Sequence, residues 1–415
     1  MKRIKQATVL CAATAFLTSQ AFASGFMIPE QGARAMGMSN AFSAIADDAS
    51  ANWFNPAGLS FQDNNVSAST DLVYPVNEFT TGGQTYTAKK SVHVVPQGYV
   101  RYGADDSNLS FGLGVNAPFG LATDWTNSGA PFAGLAAGAK GVTFSEIQAV
   151  HINPNIAYQV NDHFSVAVGI QYYNAFKVHL NNEVINIGGS GDGFGGNIAF
   201  MYQTDTWRIG GSYRSKVKIN ITGTAVGQAG AAPLGLEGIG ANASTSVTFP
   251  DLHTLSVAYQ ATPDVWVSAQ IDRINWATFD QIVVNYDPSA LNALTASTGD
   301  PTGRSSTIPE NWKATVAARL GAEWKMNEST RFRAGYTYDP TPTNATDFSP
   351  RLPGNDRQLV SVGYGQNFSD DLTMDLAYMY VWLKDRVATT PTDVNYHGTF
   401  KGRVHLFAAG VTYHF

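Results

Sequence analysis

The chain has 415 residues, with 26 Lys and Arg against 32 Asp and Glu and a formal net charge of −6. That acidic balance argues against nucleic-acid binding, which needs a basic surface. Cys11 is the only cysteine, so no disulfide framework is expected, and the eight histidines show no metal-ligand spacing.

The first residues, Met1-Lys2-Arg3-Ile4-Lys5, precede an apolar run from Ala7 to Phe22 and the sequence Ala21-Phe22-Ala23. A basic start, a short apolar stretch and an Ala-x-Ala site predict a signal peptide over 1–23, cleaved after Ala23. Cleavage removes Lys2, Arg3, Lys5 and Cys11. A secreted chain without cysteine suits a bacterial envelope better than a disulfide-stapled extracellular domain. After residue 23 no run of about 18 apolar residues occurs, so no transmembrane helix is expected.

Residues 24–62 are rich in small residues and amides and end in Asn55-Pro56-Ala57-Gly58-Leu59. The segment is too polar to cross a membrane as a helix and too poor in large apolar residues to form its own core. The chain beyond it alternates with period 2. Phe164, Val166, Val168, Ile170 and Tyr172 alternate with Ser165, Ala167, Gly169 and Gln171; Trp207 to Thr222, Trp312 to Trp324 and Leu372 to Trp382 repeat the pattern. An apolar outer face and a small or polar inner face are the requirements of a transmembrane β-barrel.

The predicted strands are 65–74, 91–102, 109–116, 147–159, 164–181, 193–203, 206–222, 243–262, 264–285, 310–327, 329–341, 356–368, 371–387 and 400–415. Short connections alternate with long ones (75–90, 117–146, 182–192, 223–242, 286–309, 342–355, 388–399), as inner turns and outer loops do in outer-membrane barrels. The expected architecture is all-β: a 14-stranded antiparallel transmembrane β-barrel over 63–415, with residues 24–62 as a hatch inside it. The last strand ends on Phe415, a terminal aromatic that resembles the signal read by the outer-membrane insertion machinery. Gly191, Gly193 and Gly196 spell G-x-G-x-x-G. Without a βαβ context they bind no dinucleotide and are read as a glycine-rich loop entering a strand.

Several stretches together resemble the FadL family of outer-membrane long-chain fatty-acid and hydrocarbon transport proteins. They are Ser24-Gly25-Phe26, Asn55-Pro56-Ala57, Pro118-Phe119-Gly120-Leu121-Ala122-Thr123, Gly210-Gly211-Ser212-Tyr213-Arg214-Ser215-Lys216-Val217, Ile274-Asn275-Trp276-Ala277-Thr278-Phe279 and Leu352-Pro353-Gly354-Asn355-Asp356-Arg357. The resemblance implies an N-terminal hatch and passive diffusion of a hydrophobic ligand through a lumenal pocket. It also implies sideways exit at a kink in the third strand. Here that strand breaks at Asn116, Pro118, Phe119 and Gly120, where proline removes a ladder donor and glycine weakens the strand.

The resemblance places Phe26 in the pocket. It also places Lys177 and Lys313 in strands where fatty-acid members use basic residues for the carboxylate. Alternation assigns Lys177, Arg208, Arg214, Lys216, Lys313 and Arg319 to the lumen, where they bind ligand or pair with Asp272, Glu323 and Asp375. Near Leu180 only His179 stands where a second basic residue is expected, which leaves neutral or aromatic hydrocarbons as alternative cargo. The candidate ligand-binding residues are Phe26, Lys177, His179, Lys313 and Arg319. No catalytic residue, cofactor or metal is called for. The expected partners are the hydrophobic ligand, outer-membrane lipid and lipopolysaccharide, with the chain acting as a monomer. A general porin would need no plug, and an outer-membrane lipid hydrolase would need a Ser-His pair at the lipid boundary.

Overall fold

In hydrocarbon every backbone N–H and C=O must find a partner within the protein, so a sheet that crosses a membrane has to close on itself. The computed structural model describes residues 25–415 except 105–106, 134–140, 296–299 and 392; the leader expected over 1–23 lies outside the described residues. The sheet is a closed antiparallel barrel. It opens with β1 (Asn65–Thr81), β2 (His93–Gly103), β3 (Leu109–Asn116 continued by Gly120–Asp124), β4 (Phe144–Asn161), β5 (Phe164–Asn181) and β6 (Ile185–Gln203). The next four strands are each in two pieces: β7 (Trp207–Arg214, Val217–Gly227), β8 (Gly240–Phe249, Leu252–Thr262), β9 (Val265–Ile274, Gln281–Tyr286) and β10 (Ser305–Pro309, Thr315–Lys325). β11 (Thr330–Asp339), β12 (Arg357–Asn367), β13 (Leu372–Leu383) and β14 (Gly398–His414) complete the circuit. Closure comes from β1 against β14, in register from Asn65↔His414 to Thr80↔Thr399.

The outward faces carry exposed apolar side chains such as Val168, Ile170, Phe194, Ile198, Leu320 and Val362. Inward positions hold buried polar residues, among them Asp71, Arg101, Asn153, Arg319 and Arg333. This inversion of the soluble pattern is the expected response to lipid outside and protein within.

The strand count agrees with the sequence reading, but two details differ. β6 begins at Ile185 and not at residue 193, so Gly191 lies in the strand with Gly193 and Gly196 and the third outer connection shrinks to 182–184. A β-carbon on Gly191 would meet the carbonyl oxygen of Asn220 at 2.0 Å and one on Gly193 that of Lys218 at 2.4 Å. Glycine therefore allows β6 to lie close against β7. The second difference is that β7, β8, β9 and β10 are each interrupted where an unbroken strand was expected, at 215–216, 250–251, 275–280 and 310–314. Pro250 has no N–H for the ladder, and Trp276–Thr278 forms a 3-10 turn. Each interruption can reverse which face the next residues occupy. After Ser215, Val217, Ile219 and Ile221 become buried and Lys216 and Lys218 exposed.

Residues 25–62 lie within the ring of strands. They form α1 (Ala33–Gly37), α2 (Ala51–Phe54) and a 3-10 turn over Pro56–Phe61. Neither helix is long enough to stand alone, and the wall holds the segment by its backbone. Arg101 Nε donates to Leu59 O at 2.9 Å, Ser165 Oγ to Ala57 O at 2.7 Å and Ser361 Oγ to Gly37 O at 3.1 Å. Asn55 donates from Nδ2 to Ser43 O at 3.0 Å and to Phe200 O at 3.1 Å, while its Oδ1 accepts from Ala57 N at 3.2 Å. Pro56 then starts the 3-10 turn, where its missing N–H costs nothing. Gly58 is required by contact: a β-carbon there would lie 2.4 Å from Ala46 O. Gly58→Val is therefore expected to cost about 1–3 kcal/mol, read as a lower unfolding midpoint in detergent; an unchanged midpoint would show that the turn can shift.

Candidate functional site: an aromatic cage beside the break in β3

The strand interruptions turn large rings inward around Phe26. Its ring centroid lies 4.8 Å from Trp276, 5.3 Å from Phe279, 5.8 Å from Phe249, 6.0 Å from Phe119 and 6.0 Å from Trp312. The Trp276 and Phe279 contacts are edge-on, the arrangement aromatic quadrupoles prefer. Phe26 is 2% exposed, so the cage is filled by the protein's own N-terminal side chain. Trp312 Nε1 donates to Glu310 Oε2 at 3.0 Å, whereas Trp276 Nε1 is buried without a partner among the described residues. Of these rings, the sequence reading named Phe26 and Phe119 for the site. The others could have been found from Ile274-Asn275-Trp276-Ala277-Thr278-Phe279, one of the stretches that carry the family resemblance.

The same N-terminal residues fill the break in β3. The β2–β3 ladder stops at Gly98↔Val115, and Gly120–Asp124 then pairs with β4 alone, from Gly120↔Gln148 to Asp124↔Phe144. Between the two pieces the chain turns inward. Asn116 Oδ1 meets His151 Nδ1 at 2.8 Å. Ile28 N donates to Pro118 O at 2.8 Å, Gly120 N donates to Phe26 O at 2.9 Å, and Met27 bridges Phe119. Residues 26–28 thus act as a short extra strand that satisfies the kink's backbone.

The candidate cations fall in other places. A bulge between Ala175 and Val178 shifts the parity of β5, so Val178 and Leu180 pack on the core. Lys177 and His179 take the opposite face, half-buried beside Glu146 at 2.8 Å and 3.7 Å. Lys313 is exposed, because the break before it turns Trp312 inward instead. The placements of Lys177, Lys216 and Lys313 correct the expectation of lumen-facing cations. Arg319 does face inward but is engaged: its Nε donates to Asp272 at 2.6 Å and its Nη1 to Ser39 O of the hatch at 3.3 Å. Arg333 likewise holds Glu323 and Asp375, each at 2.6 Å. The three acidic partners expected from sequence are therefore all paired. Among the described residues no group of His, Cys, Asp and Glu could hold a metal ion.

Free space lies elsewhere. A cavity of about 380 Å³ opens at the loop end of the barrel, walled by Leu180, Ile187, Val284, Ile308, Phe348 and Tyr396, with Arg351 and Asp393 on its rim. From there the buried residues Tyr286, Val284 and Ile282 of β9 continue to Phe279 as one apolar cluster. An apolar strip thus joins the mouth to the cage. Since Lys177 and Lys313 lie outside the cage, Lys177→Ala and Lys313→Ala are expected to change affinity for decanoate by less than about twofold, the range of exposed charges. Tryptophan fluorescence titration checks this, and a tenfold loss in either variant would contradict the placement.

The comparisons with known proteins agree with this geometry. Residues 14–415 match the family model described as outer membrane protein transport protein (OMPP1/FadL/TodX). A long-chain fatty acid transport protein of Escherichia coli O6:H1 is 23% identical over 461 residues, covering 98% of each chain. Among solved structures, a Pseudomonas aeruginosa FadL homologue superposes with a TM-score of 0.78 at 18% identity, over 94% of this chain and all of that one. The Ralstonia pickettii toluene transporter TbuX gives 0.66 at 17% identity, over 94% and 99%; both likenesses are of fold. With the closed barrel and its apolar outer face, the match over nearly the whole chain places this protein in the OMPP1/FadL/TodX family of outer-membrane transport proteins.

Proposed function

We propose that the protein takes up hydrophobic small molecules passively across the outer membrane. A ligand enters the mouth cavity, follows the apolar strip along β9 and displaces Phe26 from the cage. Displacement draws residues 26–28 away from Pro118–Gly120 and uncovers the wall between β2 and β3, where the ligand leaves sideways into the lipid. One observation carries the reading: the residue that fills the cage is bonded through its own carbonyl to the break in the wall, by Gly120 N to Phe26 O at 2.9 Å. The rest of the hatch seals the lumen, which an open porin would not need. The apolar outer face meets lipid and lipopolysaccharide, and the chain works as a monomer.

Five rings without a charge select for an apolar ring or chain. Relatives named for long-chain fatty acids and for toluene bracket the same range of ligand. Phe26 competes with cargo for the cage, so Phe26→Ala is expected to raise affinity for toluene roughly tenfold, as removal of a self-occupied state does. Weaker binding would make Phe26 a contact for ligand, not its competitor. The exit is tested by pairing Met27→Cys with Phe119→Cys. The two residues face each other in an antiparallel bridge, at a separation a disulfide spans. Oxidation is expected to stop uptake of labelled toluene and oleate into cells, and reduction to restore it. Uptake unchanged by a complete crosslink would rule out exit at the break in β3.

A further inference from the structure

The outer wall formed by β7, β8, β9 and β10 changes character at the level of the interruptions. On the side of the short turns its outward residues are apolar: Ile209, Leu255, Val257, Ile271, Val316 and Leu320 are all exposed. Trp207, Tyr259 and Trp324 close this band at its inner end, and the rings of the first two lie 4.4 Å apart. Aromatic girdles of this kind sit where hydrocarbon meets the polar interface. Beyond the interruptions the exposed residues of the outer pieces are polar, among them Asn220, Thr222, Ser244, Gln281 and Thr307. The strands thus run on past the hydrocarbon, and the interruptions mark its outer edge. The height agrees: about nine residues from Trp207 to Lys216, rising about 3.3 Å each at a tilt of about 40°, give about 23 Å against an apolar band of about 25 Å.

Basic side chains gather along this edge. Lys216 lies in the break of β7 and Lys218 just after it, His253 just after the break of β8, Arg273 just before that of β9, and Lys313 in that of β10. All five are exposed. They face outward, because their neighbours Val217, Thr254, Ile274 and Trp312 are buried on the inner side. Register sets them side by side: His253 pairs with Tyr213 on one flank and with Arg273 on the other, and Arg273 pairs with Val316. The Tyr213 and His253 rings are 4.8 Å apart. Asp251 lies 3.2 Å from His253 and 3.9 Å from Arg273, and Asp280 is exposed in the break of β9. Lys216, Lys218 and Lys313 have no ion pair among the described residues. Like charges on facing strand positions repel, so the clustering at this one level, more than the lack of partners, calls for an anion.

We propose that this edge binds the phosphorylated head group of lipopolysaccharide, with the acyl chains lying against the apolar band below it. The proposal rests on the reading that the outer face meets lipid and lipopolysaccharide, and it adds the place and the chemistry. Phosphate takes a lysine as a point charge and Arg273 as a fork to two oxygens. Four adjacent strands span about 14 Å, at about 4.8 Å per step, so cations on β7 and β10 reach different phosphates of one head group. The reversals that turn Val217 and Trp312 inward are the ones that put Lys216 and Lys313 outside. A lipid held there ties together the strands that carry Phe249, Trp276, Phe279 and Trp312 to the cage.

The test uses the mature protein in non-ionic detergent and follows bound lipid by native mass spectrometry, with diphosphoryl lipid A, its dephosphorylated form and phosphatidylglycerol as probes. Wild type is expected to bind the diphosphoryl form about tenfold more tightly than either of the others, as several charge-assisted contacts allow. Lys216→Gln, Lys218→Gln and Lys313→Gln combined are expected to remove most of that preference and to change binding of the dephosphorylated form less than about twofold. Lys89→Gln with Lys90→Gln, in an outer connection, changes neither. Diphosphoryl lipid A bound as tightly by the triple variant as by wild type overturns the site. So does equal binding of phosphatidylglycerol by wild type, the mark of a general anionic-lipid surface. If the triple variant does not fold, acetylation of wild-type lysines answers: protection of Lys216, Lys218 and Lys313 by lipid A, with Lys89 and Lys90 still reactive, supports the site, and no protection refutes it. Wild type that inserts into bilayers but binds no lipid A refutes this site alone; wild type that does not insert refutes the lipid-facing reading, and the site with it.

Discussion

The constraint on which the rest depends is that a chain in hydrocarbon cannot leave its backbone groups unpaired. For most of the wall the neighbouring strand meets this demand, and closure of β1 on β14 removes the last free edge. The break in β3 is the place where it is met differently. Beyond Val115 the chain leaves β2, and its carbonyl and amide groups at Pro118 and Gly120 are satisfied by Ile28 and Phe26. The same three N-terminal residues therefore pair with the gap in the wall and fill the cage.

Energetics decides which part of the interior can move. The hatch beyond residue 32 is held by Arg34 on Asp47 and Glu323, by Arg319 and Ser361 on its carbonyls, and by Asn55 on Phe200. Several such contacts to different strands would have to break together, and hydrogen bonds that involve a charged group contribute about 1.5–3 kcal/mol each. Residues 26–28 are held by two backbone hydrogen bonds and by ring contacts. Each such hydrogen bond contributes about 0.5–1.5 kcal/mol net, and an incoming hydrophobic ligand can replace the ring contacts. Residues 26–28 are therefore the more weakly held part of the interior segment.

The interruptions of β7 to β10 have a second consequence. An unbroken strand sends alternate residues to lipid and to lumen, which leaves little room for a cage of large rings next to a polar lumen. Breaking four adjacent strands near the same level lets Phe249, Trp276, Phe279 and Trp312 converge on one point. It also carries Lys216 and Lys313 to exposed positions. The apolar pocket and the placement of the lysines have the same physical origin.

Much of this protein was legible without coordinates. Alternation is a local property, so strand number and the long and short connections could be read from neighbouring residues, as could the interruption between Asn116 and Gly120. Facing is cumulative: a single extra residue reverses every side chain after it. Lys177, read through the bulge at Phe176, and Lys313, read through the break before Thr315, were therefore assigned to the wrong side, while Arg319, in an uninterrupted piece, was assigned correctly. The surroundings of Phe26 could not be read in this way, because they depend on residues far apart in the chain brought together by barrel closure. The sequence by itself determined a membrane barrel with a plug-like start and a weak third strand. Only the tertiary structure decided which side chains face inward, which charges are already paired, and that the filler of the cage also bridges the gap in the wall.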